Sequence, residues 1–199
     1  NMPALWPAFQ SSVAPFLDDA SKKTFKQTAK KIANEYHKAV ATANIVLIPG
    51  NVALKRPSPK GIEKAIEKIL VKTHKSGKKL KPADFKQWAN EVVKYWGKVT
   101  FGPAPPPLLP VPLIPNPALA ATPKQVNKVL NSGVAATLQT ALYAAFNNPP
   151  VNTPMGNIIC TKMIAAFSAH LATISGLYDG ALAPPAPPTP TPFPWVGVA

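Results

Sequence analysis

The chain has 199 residues, with 22 Lys and Arg against 8 Asp and Glu, a formal net charge of +14, and 26 prolines. Proline at more than twice its ordinary frequency of about 5% cannot be spread through helices or central strands, so it must collect in connections and arms. That composition argues against an evenly mixed globular enzyme, and the charge favours anionic or acidic partners. The charge is also one-sided: residues 1–102 hold 19 basic and 7 acidic residues, whereas residues 103–199 hold 3 and 1.

Residues 1–20 read as an extended N-terminal arm, because Pro3, Pro7 and Pro15 interrupt them. Trp6, Phe9 and Phe16 are rings suited to docking in a neighbour's pocket. No basic stretch leads into an apolar core there, so no signal peptide is expected. Residues 21–102 read as a basic three-helix domain. From Lys22 to about Asn44, Phe25, Ala29, Ile32, Tyr36, Ala39, Val40 and Ala43 recur at spacings of three or four, with lysines opposite. Ser58-Pro59 then supplies a cap and a first-turn proline, and Ile62, Ala65, Ile66, Ile69 and Leu70 continue the period up to Gly77. A third helix, Pro82 to Gly97, carries Phe85, Trp88, Ala89, Val92 and Trp96, large enough to fill most of that domain's core.

Residues 103–121 form a proline-rich strap. Eight prolines between Pro103 and Pro117 alternate with Leu108, Leu109, Val111, Leu113 and Ile114. Such a run extends at about 3.1 Å per residue, and its apolar content places it against another surface. Residues 122–180 read as an apolar helical hairpin. Its first helix runs from the capping sequence Thr122-Pro123-Lys124-Gln125 to about Phe146, and its second from Gly156 to Leu177. Small, nearly chargeless residues surround both helices, so burial against other subunits is expected. Residues 181–199 form a proline-rich C-terminal arm ending in Phe193 and Trp195. The predicted fold class is thus all-α: two small helical units joined by a proline-rich extended strap, with extended N- and C-terminal arms. The two halves share an outline of capped helices, an aromatic and glycine, then a proline run; duplication and ordinary helix punctuation both account for it.

Catalytic chemistry needs converging groups, and none is evident. His37 and His74 stand among lysines as solvated residues, while His170 follows Cys160 by ten residues, about 15 Å along a helix, too far to share a metal. Cys160 reads as a small buried side chain. Asp18 and Asp19 precede a helix, Glu63 and Glu67 sit among lysines, and no glycine loop cradles phosphate. No enzyme activity, cofactor, metal or small-molecule substrate is predicted. The lysines Lys22, Lys23, Lys26, Lys30, Lys31, Lys72, Lys75, Lys78, Lys79 and Lys81 are candidate contacts for phosphate or an acidic partner. With Arg56 as the only arginine, sequence-specific base reading is not expected. A membrane-inserted hairpin is a further reading, opposed by Asn127, Asn131, Gln139, Lys162 and His170.

Ala4-Leu5-Trp6-Pro7-Ala8-Phe9, Thr153-Pro154-Met155-Gly156-Asn157 and the closing Pro192-Phe193-Pro194-Trp195 resemble the style of small virion structural proteins of contractile-tailed bacteriophages, baseplate or tail components among them. The resemblance implies a non-catalytic subunit, located in the virion and assembled in the host cytoplasm, that joins neighbouring proteins and copies of itself. On this reading Trp6, Phe9, Phe16, Leu108, Leu109, Leu113, Ile114, Phe193 and Trp195 dock to partners. The alternative is a basic protein that binds nucleic-acid phosphates nonspecifically through residues 22–98.

Overall fold

In the computed structural model, which describes residues 4–18, 24–46, 53–76, 79–102, 127–147, 155–178 and 193–199, the amphipathic stretches of the basic half are helical. Helix α2 (Phe25–Ala39) opens with a reciprocal cap: the Gln27 N–H donates to Thr24 Oγ1 at 3.1 Å, and the Thr24 N–H donates to Gln27 Oε1 at 3.0 Å. Helix α3 (Lys60–Ser76) follows Ser58, whose hydroxyl accepts the Lys60 N–H at 3.3 Å. A 3-10 turn, Pro82–Phe85, leads into α4 (Lys86–Trp96), and the Asp84 carboxylate accepts the Lys81 N–H at 2.8 Å across that turn. The apolar stripes anticipated on these helices are buried, from Ile32 and Tyr36 through Ile62 and Ile66 to Trp88, Val92 and Trp96.

Elsewhere the architecture departs from an all-α plan. The N-terminal segment is a helix, α1 (Trp6–Asp18), not an extended arm. Pro7 occupies its second residue, where no backbone donor is needed. Pro15 does lie inside it, and burial of Phe9, Val13 and Ala14 offsets the lost hydrogen bond. In the second half, the helix expected from Thr122 begins only at Ala135; it is α5 (Ala135–Phe146), preceded by strand β3 (Asn127–Asn131). The next helix, α6 (Met155–Leu171), stops six residues short of Leu177, because the chain turns into strand β4 (Ser175–Tyr178). With β1 (Ala53–Lys55), β2 (Thr100–Phe101) and β5 (Phe193–Val196), these strands form one antiparallel sheet in the order β1-β2-β3-β4-β5. Strands of two to five residues are too short for alternation to register in a sequence pattern.

The chain's last residues are paired as well. Beyond β5, Val198 bridges Ile45, and Asn44 and Ala199 exchange backbone hydrogen bonds of 2.8 and 2.9 Å. The C-terminal residues 193–199 thus belong to the sheet instead of forming a free arm.

The helices close into a ring: α1 packs on α2, α2 on α3, α3 on α4, α4 on α5, α5 on α6, and α6 back on α1. Consequently the expected division into a basic domain and an apolar hairpin gives way to one core shared by both halves, running from Phe9 through Trp88 to Phe167 and Trp195. The hairpin's apolar faces are covered in large part by α1 and α4 of the same chain. The chain order is one plan used three times: two helices, a strand, a connection and a returning strand. Segment 44–46 and β1 complete the first unit, β2 and β3 the second, β4 and β5 the third. The outline that the sequence suggested for two halves is therefore repeated in three units.

Candidate assembly surfaces

The aromatic residues expected to reach outward are placed in the chain's own interior. Phe9 is fully buried and meets Phe167 edge-on at 5.9 Å, while Trp6 stacks on Phe167 at 5.9 Å and is partly covered. Trp195 is 1% exposed and meets Phe101 edge-on at 6.0 Å. As docking anchors for neighbours these three are therefore corrected: the ring closure and the strand pairing of β5 turn them inward. Phe16 is half-buried at the surface, with Lys31 Nζ 5.2 Å above its ring. Phe193 lies in β5 opposite Tyr178. Leu108, Leu109, Leu113 and Ile114 fall outside the described residues, as does the strap that carries them.

The candidate basic contacts are distributed over several helices. Lys22, Lys23 and Lys78 lie outside the described residues, and Lys75 is in α3. Lys26, Lys30, Lys72, Lys79 and Lys81 are exposed, and Lys31 is half-exposed. Lys26 and Lys30 of α2 face Lys60 and Glu63 of α3 across a groove of about 240 Å³. Lys60 is a groove residue that the cluster-based reading missed, because only the packing of α2 on α3 brings it beside lysines thirty residues away. Other lysines are engaged: Lys31 and Lys38 pair with Glu35 at 3.5 and 3.4 Å, and Lys72 pairs with Asp84. Those contacts hold the Asp84 carboxyl below the usual range, first through Lys72 and then through the Lys81 backbone. Both carboxylates are largely covered, their side chains 9% exposed, while their lysines reach solvent.

Polar groups singled out for their chemistry have structural partners. His37 is not simply solvated: its Nδ1 lies 2.8 Å from the Tyr95 hydroxyl, and its carbonyl accepts from Arg56. Asp18 ends α1 instead of preceding a helix, and its carboxylate accepts the Gly156 N–H at 2.7 Å, capping the start of α6. Cys160 is buried, and burial pushes its thiol up to about 12, with Asp18 acting in the same direction. Trp96 donates its indole N–H to the Tyr36 hydroxyl at 2.7 Å inside the core.

His170 is 4% exposed. Its Nε2 donates to the Ser132 carbonyl at 2.9 Å, beneath Gly133, whose φ of 93° forms the turn between β3 and α5. Its Nδ1 has no hydrogen-bond partner among the described residues. Burial therefore pushes its pKa down to about 4, against the weaker opposing effect of the Ser132 bond. The unfolded chain binds this proton near pH 6.5 and the folded chain only near pH 4. Stability from this group is complete above about pH 6.5 and is lost as pH falls toward 4, by an amount on the order of 3 kcal/mol. His37, lowered by burial and by Arg56, acts in the same sense. Urea midpoints between pH 7 and 4.5 check this, and a His170→Gln chain is expected to show a shallower fall.

Among the described residues, no helix is long and apolar enough to cross a membrane. No family model matches the chain, and no curated protein or solved structure matches it.

Proposed function

We propose that this chain is a non-enzymatic structural subunit of a large protein assembly, of the kind from which contractile-tailed phage virions are built, joined to its neighbours through its proline-rich connections. The observation that carries this reading is where those connections are anchored. Residues 103–126 link β2 to β3 and residues 179–192 link β4 to β5, and each pair of strands is antiparallel and adjacent, so both connections leave the same end of the sheet. The first contains Leu108, Leu109, Leu113 and Ile114 among prolines, a composition that loses little chain entropy on docking and presents apolar side chains to a partner. Trp6, Phe9 and Trp195 pack on the chain's own core, and the docking role assigned to them passes to these connections.

Replacing residues 104–125 by a short Gly-Ser turn is expected to leave the urea midpoint nearly unchanged, since loop closure depends only weakly on length. The same replacement is expected to abolish incorporation into the native assembly. Equal incorporation of both chains would remove the proposed role of the strap.

Lys26, Lys30 and Lys60 around one groove favour, as a second reading, nonspecific contact with nucleic-acid phosphates. That reading expects duplex DNA to bind with an affinity that falls steeply between 50 and 200 mM salt, roughly in proportion to the number of phosphates neutralised. Retention of the chain on a DNA column that is indifferent to salt, or no retention at 50 mM, counts against it.

A further inference from the structure

The groove that holds Lys26, Lys30 and Lys60 does not stop at α3. It shares Ser58 and Lys60 with a second groove, between the start of α3 and the end of α4, which Lys94 and Lys98 line. The second shares Gly61 and Glu91 with a third, along the seam of α3 and α4, where Lys64 and Lys68 stand. Lys60, Lys64 and Lys68 recur every four residues and so form one row along α3. All seven of these lysines are exposed. The carboxylates beside them are Glu63, Glu67 and Glu91, of which Glu91 pairs with Lys94 at 3.8 Å. A continuous positive track therefore crosses α2, α3 and α4, whereas α5 holds no Lys, Arg, Asp or Glu and α6 holds Lys162 alone. Charge that served solubility by itself would be spread around the ring with both signs mixed.

We infer that this track binds the phosphodiester backbone of a single-stranded nucleic acid, irrespective of base sequence. The inference rests on the second reading above and names its ligand. Charge complementarity selects a polyanion, and the path of the track selects a flexible one. In the ring of helices α2 and α4 flank α3 on opposite sides, so a ligand that meets Lys26 and Lys30 as well as Lys64 and Lys68 must bend over the start of α3. Duplex DNA, with a persistence length of about 150 base pairs, resists that bend and reaches one groove, whereas a single strand follows it. Lysine supplies point charges without the planar fork that reads base edges. Tyr95, the aromatic residue lining the second groove, is 3% exposed and offers no ring on which a base could stack.

The test measures binding of the full chain to oligothymidylate, to oligouridylate, to a duplex of equal length and to polyglutamate of equal charge, between 50 and 200 mM salt. For the single strands, seven neutralised phosphates give a log–log salt slope of about −5, roughly a thousandfold loss over that range, whereas three on the duplex give about −3, roughly fortyfold. Lys64→Gln, Lys68→Gln and Lys94→Gln together are expected to bring the single-strand slope to about −3, with the urea midpoint as the check on folding. DNA and RNA strands are expected to bind within a few-fold of each other, because contact with phosphate does not sense the 2′-hydroxyl. A strong preference for either overturns contact through phosphate alone. A duplex that binds as tightly as the strands, or a parent single-strand slope near −2, overturns this inference and leaves the second reading standing. No binding by any nucleic acid at 50 mM removes the second reading and this inference together. Polyglutamate binding more tightly than the strands assigns the track to an acidic protein and overturns the inference.

Discussion

Trp195→Ala is expected to lower the stability of the isolated chain by about 3–5 kcal/mol, the range for removing a large aromatic side chain from a packed core. Trp195 is 1% exposed and lies against Phe101, and its ring fills the space that Gly176 leaves open on β4. A Cβ at Gly176 would fall 2.5 Å from the Trp195 ring and 2.0 Å from the Lys128 carbonyl, so this glycine is what lets β5 close on β4 and β3. The Trp195 indole N–H has no hydrogen-bond partner among the described residues, so the loss is one of packing alone. The urea midpoint gives the magnitude, and hydrogen exchange of residues 193–199 gives the location, because the bridge from Val198 to Ile45 should open with it. A midpoint within experimental error of the parent would show that the ring is a surface anchor after all.

Phe167→Ala is expected to cost a similar 3–5 kcal/mol, with a different spatial reach. Phe167 on α6 meets Tyr36 of α2 at 4.7 Å, Trp6 and Phe9 of α1 at 5.9 Å each, and Trp88 of α4 at 6.3 Å. Four of the six helices therefore lose a contact together, against a total stability that for natural domains is about 5–15 kcal/mol. Tryptophan fluorescence and far-ultraviolet circular dichroism should then report one coincident transition at a lower temperature. Separate transitions for the basic and apolar halves would contradict the shared core.

The basic half was the more legible. The stripes of α2, α3 and α4 are read correctly from spacing because a helix packed on one side must carry apolar residues at that spacing, whatever it packs against. Cys160 as a buried side chain follows from its apolar neighbours. The candidate docking residues were less legible. A ring beside prolines looks the same in sequence whether it meets another molecule or its own chain, and for Trp6, Phe9 and Trp195 the partner is Phe167 or Phe101, far away in sequence. Lys60 joins Lys26 and Lys30 for the same reason, through helix packing that no local pattern encodes.

By itself, the amino-acid order determined the helical stretches of the basic half and the concentration of positive charge there, since each follows from local backbone and solvation preferences. Only the tertiary structure decided that Asn127–Asn131 and Ser175–Tyr178 are strands, that the halves share one core, and that the six helices close into a ring. Strand pairs such as Val129 with Gly176, and ring closures such as α6 on α1, join residues distant in sequence, and their free energy exists only once both sides are in place.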